Sequence, residues 1–122
     1  EKVYPNNFRN LSYNADGKLT PQAVEFVERL KKAKVDFGDT LLWWLGVGYD
    51  SPRLIADAIG EAGLAPADIT AYLNNKVRGW KGVYGTISFS PENHNGFPDE
   101  EVIMVRANSL KDGAFTLAPG YA

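Results

Sequence analysis

A chain of 122 residues is the size of one compact domain, and its 44% hydrophobic and 23% charged residues are globular proportions, not those of disordered, collagen-like or coiled-coil chains. Lys and Arg number 13 against 15 Asp and Glu, a net charge of -2. They are scattered and form no basic footprint for a phosphate backbone, so nucleic acid is not an expected partner. With no cysteine and one histidine, the sequence offers no disulfide framework, thiolate metal site or catalytic thiol, and few ligands for zinc.

The chain opens on turn chemistry. Tyr4-Pro5-Asn6-Asn7 and Asn14-Ala15-Asp16-Gly17 flank a short semi-apolar stretch, which is expected to be extended or looping. Thr20-Pro21 then supplies an N-cap and a first-turn proline for a helix whose apolar face is Ala23, Phe26, Val27, Leu30 and Ala33. Its early glutamates and late Arg29, Lys31 and Lys32 suit the helix dipole.

A second helix is expected to be capped by Asp39 or Thr40. Its first turns, Leu41-Leu42-Trp43-Trp44-Leu45, are apolar on every side and predict burial nearly all round. From Arg53 onward the apolar residues narrow to a stripe, with Arg53, Asp57 and Glu61 on the opposite, solvated face. Pro52 predicts a kink in a continuous helix. The most apolar run, Leu41 to Tyr49, falls far short of the ~20 residues that span a bilayer.

Gly63 stops that helix, and Pro66 opens a short amphipathic one ending near Asn74-Asn75. The period then changes from helical to alternating. Residues Val83 to Phe89 read as a strand, Val102 to Val105 as a buried strand, and Lys111-Asp112-Gly113 as a hairpin turn into Ala114 to Leu117. Helices first and a few strands last make an uncomfortable order for a self-contained domain, since no partner strands are evident.

Gly48-Tyr49-Asp50, a helix running to Ala62-Gly63, then Trp80-Lys81-Gly82-Val83-Tyr84-Gly85-Thr86-Ile87-Ser88-Phe89, and finally Leu110-Lys111-Asp112-Gly113-Ala114-Phe115 form an ordered series. The series resembles the C-terminal portion of type I periplasmic solute-binding proteins, the branched-chain amino-acid and aromatic-acid receptors of ABC importers. The resemblance spans nearly all of the chain, and it rests on the order of the segments rather than on one motif. Two features depart from it: Pro52 stands where a helix former is usual, and the Ser90 to Pro98 loop is long.

The resemblance implies an α/β fold, a partial two-lobed type I arrangement with Rossmann-like lobes. Residues 20 to about 80 would contribute to the first lobe, and residues 1–19 and 81–122 to the second lobe and the hinge. Gly82 and Gly85 would give the hinge crossing its backbone latitude. It further implies a periplasmic, non-enzymatic protein with no cofactor. Its partners would be a small carboxylate-bearing ligand, an ABC permease in the inner membrane and the N-terminal remainder of the same protein. As a fragment, the chain could also form an intertwined homo-oligomer. A secretion signal, not recognisable at Glu1, would precede this stretch or have been removed.

Trp44, with Trp43 beside it, matches the place where the family sets an apolar ligand contact. Indoles stack on flat ligands and their N–H groups bond carboxylates, but two tryptophans in an apolar helix serve equally as core residues. Tyr4, Asn7 and Asn10 near the first crossing are candidate polar contacts, which turn formation explains as well. His94, with Asp99, Glu100 and Glu101 downstream, is the one candidate general base. It has neither a nucleophile nor a second histidine, and a solvated loop histidine is the better reading. Glu92, Asn93, Asn95 and Asp99 miss calcium-loop spacing, and Gly46-x-Gly48 misses the phosphate-loop pattern. The same two-lobed fold also serves in ligand-sensing receptors, which leaves sensing as the alternative to transport.

Overall fold

The computed structural model describes residues 3–36 and 38–121. It is a small mixed helix/sheet domain. Among the described residues there are three helices, α1 (Pro21–Lys32), α2 (Leu42–Ala62) and α3 (Pro66–Lys76). Four short strands, β1 (Asn6–Phe8), β2 (Trp80–Lys81), β3 (Thr86–Ile87) and β4 (Val102–Met104), pair into two antiparallel two-stranded sheets, β1 with β4 and β2 with β3.

α1 forms as its sequence predicts. The Ala23 N–H donates to Thr20 Oγ1 at 3.2 Å, and Pro21 occupies the first turn. The Thr20 hydroxyl also donates to the Asn10 carbonyl at 3.0 Å, so the cap fastens the helix to the opening segment. Phe26 and Ala23 are buried on the inner face. Thr20→Ala should therefore lower unfolding free energy by about 1–2 kcal/mol, and Thr20→Ser should recover most of it, as read from urea denaturation.

α2 is the spine of the domain. It runs unbroken through Pro52 and ends on Gly63, whose φ of 88° is open to glycine at little cost and whose N–H donates to the Ile59 carbonyl at 2.9 Å. Its start corrects the expected cap. Neither Asp39 nor Thr40 caps it; Leu41 holds the N-cap position without a side-chain bond, and the Leu42 N–H donates to the Gly113 carbonyl at 2.8 Å. A distant turn satisfies one of the helix's orphan donors, leaving a polar cap there unnecessary. The buried residues of α2 are Leu42, Gly46, Asp50, Leu54 and Ala58, one row at a spacing of four. At Gly46 an added Cβ would stand 2.7 Å from the Leu11 Cδ1 and 3.1 Å from the Tyr84 Cβ, so any larger residue would have to push the buried Leu11 side chain aside.

The alternating stretch 83–89 is not one strand. Residues 82–85 make a reverse turn closed by the Gly82 N–H donating to the Gly85 carbonyl at 3.0 Å, and the two arms pair Trp80 with Ile87 and Lys81 with Thr86. The turn wins because residue 82 packs directly against an α2 side chain and has no room for a Cβ. Arg78 secures the base of this hairpin, donating to the carbonyls of Asn74, Val77 and Phe89.

The expected shortage of partner strands is met from the opposite end of the chain. β1 pairs with β4 through Asn6–Met104, Asn7–Ile103 and Phe8–Val102. Single bridges join Tyr13 to Thr116 and Val105 to Leu117. The Lys111 to Ala114 turn forms as predicted, with reciprocal backbone bonds of 2.9 and 3.0 Å and positive φ at Asp112 and Gly113. Leu11, Phe26, Leu42, Leu54, Tyr84 and Ile87 meet in the shared core.

Candidate functional site

Two places draw chemistry-bearing side chains together: the aromatic start of α2, and a charged cleft between α1, α2 and the β2–β3 hairpin.

At the first, Trp43 and Trp44 stack with ring centroids 4.0 Å apart and planes inclined by 23°. Trp43 is half-buried and meets Phe8 at 5.7 Å. Phe8 in turn packs on Tyr84 at 5.2 Å and on Phe97 at 5.4 Å. Trp44 does not follow the prediction of burial all round, being 59% exposed. The helix packs with the Leu42–Gly46–Asp50 row inward, and residue 44 falls on the opposite side of that row. A rigid indole backed by four further rings and open on one side is a stacking platform.

The three polar candidates do not join it: Asn10 lies on the wall of the charged cleft, and Asn7 and Tyr4 lie elsewhere. Asn7 is only 6% exposed, and its Nδ2 donates to Ser12 Oγ at 2.9 Å. Along β1 it points to the face opposite Phe8, the residue that reaches Trp43. Its Oδ1 is buried without a partner. Tyr4 is 41% exposed and lines a separate shallow cleft with Met104, Ala118, Pro119 and Tyr121. The structure thus assembles Trp43 and Trp44 and leaves Tyr4 and Asn7 elsewhere. His94 is exposed beside Thr70, Leu73, Asn74 and Phe89, residues that offer no carboxylate.

The second place was not singled out from sequence. Asp50 is 1% exposed, in the middle of the buried row of α2. Its Oδ1 accepts from Arg53 Nη1 at 3.1 Å, and its Oδ2 accepts from the Tyr84 N–H at 3.2 Å. The carboxylate occupies the space that a side chain at Gly82 would need. Burial pushes the Asp50 carboxyl above its ordinary value, opposed by the backbone N–H groups of Tyr84 and Val83 and by Arg53. Burial also raises the Tyr84 phenol, with the Asp50 charge adding to it.

The face expected to be solvated at Arg53 and Asp57 is exposed, and its side chains also find partners. Arg53 lies over the rings of Tyr49 at 5.1 Å and Trp80 at 5.3 Å, and Trp80 Nε1 donates to Asp57 Oδ2 at 2.8 Å. On α1, Arg29 donates to Tyr49 Oη at 2.8 Å and to Glu25 at 2.6 Å. Between these elements lies a cleft of about 370 Å³ whose wall includes Asn10, Arg29, Tyr49, Arg53, Lys81 and Glu101. The signal that could have found it is Asp50 itself, a carboxylate in register with Leu42, Gly46, Leu54 and Ala58.

Comparison of the chain with protein-family models, with curated proteins and with solved structures yields no match in any of the three.

Proposed function

We propose that the chain forms part of an extracytoplasmic solute-binding protein, a non-enzymatic receptor that captures a small carboxylate-bearing solute and presents it to an ABC permease. The ordered series of segments from Gly48-Tyr49-Asp50 to the Lys111-Asp112-Gly113 turn supports the family. The observation that carries the reading is the exposed Trp44 indole stacked on Trp43. A large apolar ring left open on a rigid aromatic base is suited to close over a ligand when a facing lobe covers it. In this reading residues 20–80 belong to the first lobe, and 1–19 and 81–122 to the second lobe and the hinge.

The test is ligand-induced stabilisation of the full-length protein against a panel of amino acids and aromatic acids. A ligand present at a hundredfold excess over its Kd stabilises by about 2.7 kcal/mol, a rise of several degrees in Tm. Trp44→Ala should leave the Tm of the free protein nearly unchanged and weaken the ligand about tenfold, since one ring stack is worth ~0.5–1.5 kcal/mol beyond the area it covers. Trp43→Ala should lower the Tm itself, because Trp43 packs on Phe8. No stabilisation by any member of the panel would remove the transport reading.

A further inference from the structure

The long loop from Ser90 to Pro98 contains a pair of residues with chemistry of its own, Asn95-Gly96. An asparagine followed by glycine sets its carboxamide carbon one small ring away from the next backbone nitrogen, and no side chain shields that nitrogen. Ring closure needs a fold that leaves both groups free. Asn95 is exposed and lies outside any helix or strand. Its own N–H donates to Asn93 Oδ1 at 2.9 Å, but neither its carboxamide nor the Gly96 N–H makes a hydrogen bond among the described residues.

Comparable positions are tied or repelled. Asn14 Oδ1 accepts from the Asp16 and Lys18 N–H groups at 3.0 and 2.8 Å, and the nitrogen that follows Asn108 donates to the Arg106 carbonyl at 3.1 Å. At Asp16-Gly17 and Asp112-Gly113 the group to be attacked is a carboxylate, whose charge repels a nucleophile. The Gly17 N–H is also held by the Asn14 carbonyl at 3.0 Å. Packing keeps a glycine at position 96, which is buried with φ 83° and where an added Cβ would stand 2.7 Å from the Phe89 ring. Its carbonyl accepts from the Ser88 N–H at 2.8 Å, closing the loop beside the end of β3. The next residue, Phe97, packs on Tyr84 at 4.6 Å and on Phe8 at 5.4 Å.

We infer that Asn95 is a self-modifying site, at which the folded chain converts an asparagine to aspartate and isoaspartate with water as the only co-reactant. The Gly96 nitrogen gives its proton to solvent and attacks the Asn95 Cγ. The new N–C bond closes a cyclic imide as the carboxamide C–N bond breaks, and ammonia leaves, taking a proton back. Water then opens the imide at either carbonyl. One opening restores the backbone with an aspartate side chain. The other runs the backbone through the former side chain, adding a methylene between positions 95 and 96, and both add a negative charge. That extra length falls beside a glycine packed tightly on Phe89, so the Ser88–Gly96 bond is displaced and Phe97 moves against Tyr84 and Phe8.

The experiment keeps the folded full chain at mildly alkaline pH, beside an Asn95→Gln chain, and follows each asparagine and aspartate by peptide mapping with isoaspartate detection. Position 95 should convert several times faster than Asn14 or Asn108. Hydroxylamine, which cleaves cyclic imides, should cut the native chain between Asn95 and Gly96. Asn95→Gln should stay whole, because its longer side chain closes a less favourable ring. The aged parent should lose a few degrees of Tm, and aged Asn95→Gln should lose none. Conversion at Asn95 no faster than at Asn14, hydroxylamine cutting only the urea-unfolded chain, or an aged parent of unchanged Tm would each overturn the inference.

Discussion

An Asp50→Ala chain is expected to unfold with about 3 kcal/mol less free energy than the parent, because truncation leaves the Tyr84 N–H buried without an acceptor and opens a gap in the inner row of α2. Arg53 loses its partner too, but its side chain is 47% exposed and water replaces most of that bond. The latch has two halves, so Gly82→Ala, whose new methyl group would displace the carboxylate, should be destabilising by a similar amount. The two substitutions together should cost clearly less than their sum. Urea denaturation of the three variants gives these differences directly.

The same carboxyl has a pH signature of definite sign. Its folded value lies above the ordinary 3.8. Between 3.8 and that raised value the folded chain keeps a proton that the unfolded chain has already released, so this group's contribution to stability falls as pH rises through the window. An Asp50→Asn chain has no proton to release there. The stability difference between parent and Asp50→Asn should therefore shift in favour of Asn as pH rises from below 3.8 towards neutrality. A difference that stayed flat, or moved the other way, would show that desolvation does not dominate at this site.

Gly113→Ala should cost about 2–4 kcal/mol, from a positive φ that L residues resist and from overpacking. Gly113 has φ 76°, and a Cβ there would stand 2.8 Å from the Thr40 carbonyl oxygen and 3.2 Å from the Leu42 nitrogen. The nearest obstacle is backbone, which cannot swing aside as a side-chain tip does, and the Leu42 Cγ adds a contact at 3.1 Å. Displacing Gly113 would also take away the carbonyl that receives the Leu42 N–H at the start of α2. Gly17→Ala is the control, since its φ is 72° with nothing within 4 Å of the added carbon. It should show the backbone cost alone, about 1 kcal/mol. Equal losses at the two positions would mean that packing against α2 contributes nothing.

What could be read along the chain was what local chemistry decides. Thr20-Pro21, Gly63 and Pro66 mark helix ends through bonds and torsions within a few residues, and the helices begin and end where they stand, to within a residue or two. The start of α2 was not legible because its donor is satisfied by Gly113, far along the chain. The β1–β4 pairing was hidden for the same reason: three-residue strands carry little periodicity, and their partner lies at the other end of the sequence.

The candidate site divides in the same way. A pair of adjacent tryptophans announces itself, but its exposure depends on which row of α2 turns inward. Arg53 and Asp57 read as part of a solvated edge and are exposed, but their partners were not legible, and Asp50 was not singled out at all. The α2 row carries Asp50 inward, and Trp80 and the Tyr84 amide then supply partners from a hairpin that an alternating pattern alone had read as a single strand.

The β1–β4 ladder also bears on the order of events in folding. Joining Asn6 to Met104 closes a loop of nearly the whole chain before a hydrogen bond is gained. For a loop of about a hundred residues the length-dependent entropy of closure alone is roughly 4 kcal/mol. A three-residue ladder repays little of that by itself, so it gains its stability only after α1, α2 and the hairpin have drawn the ends together. The helices then act as the scaffold of the transition state and the ladder as its late seal, the segment first to open when the native chain breathes.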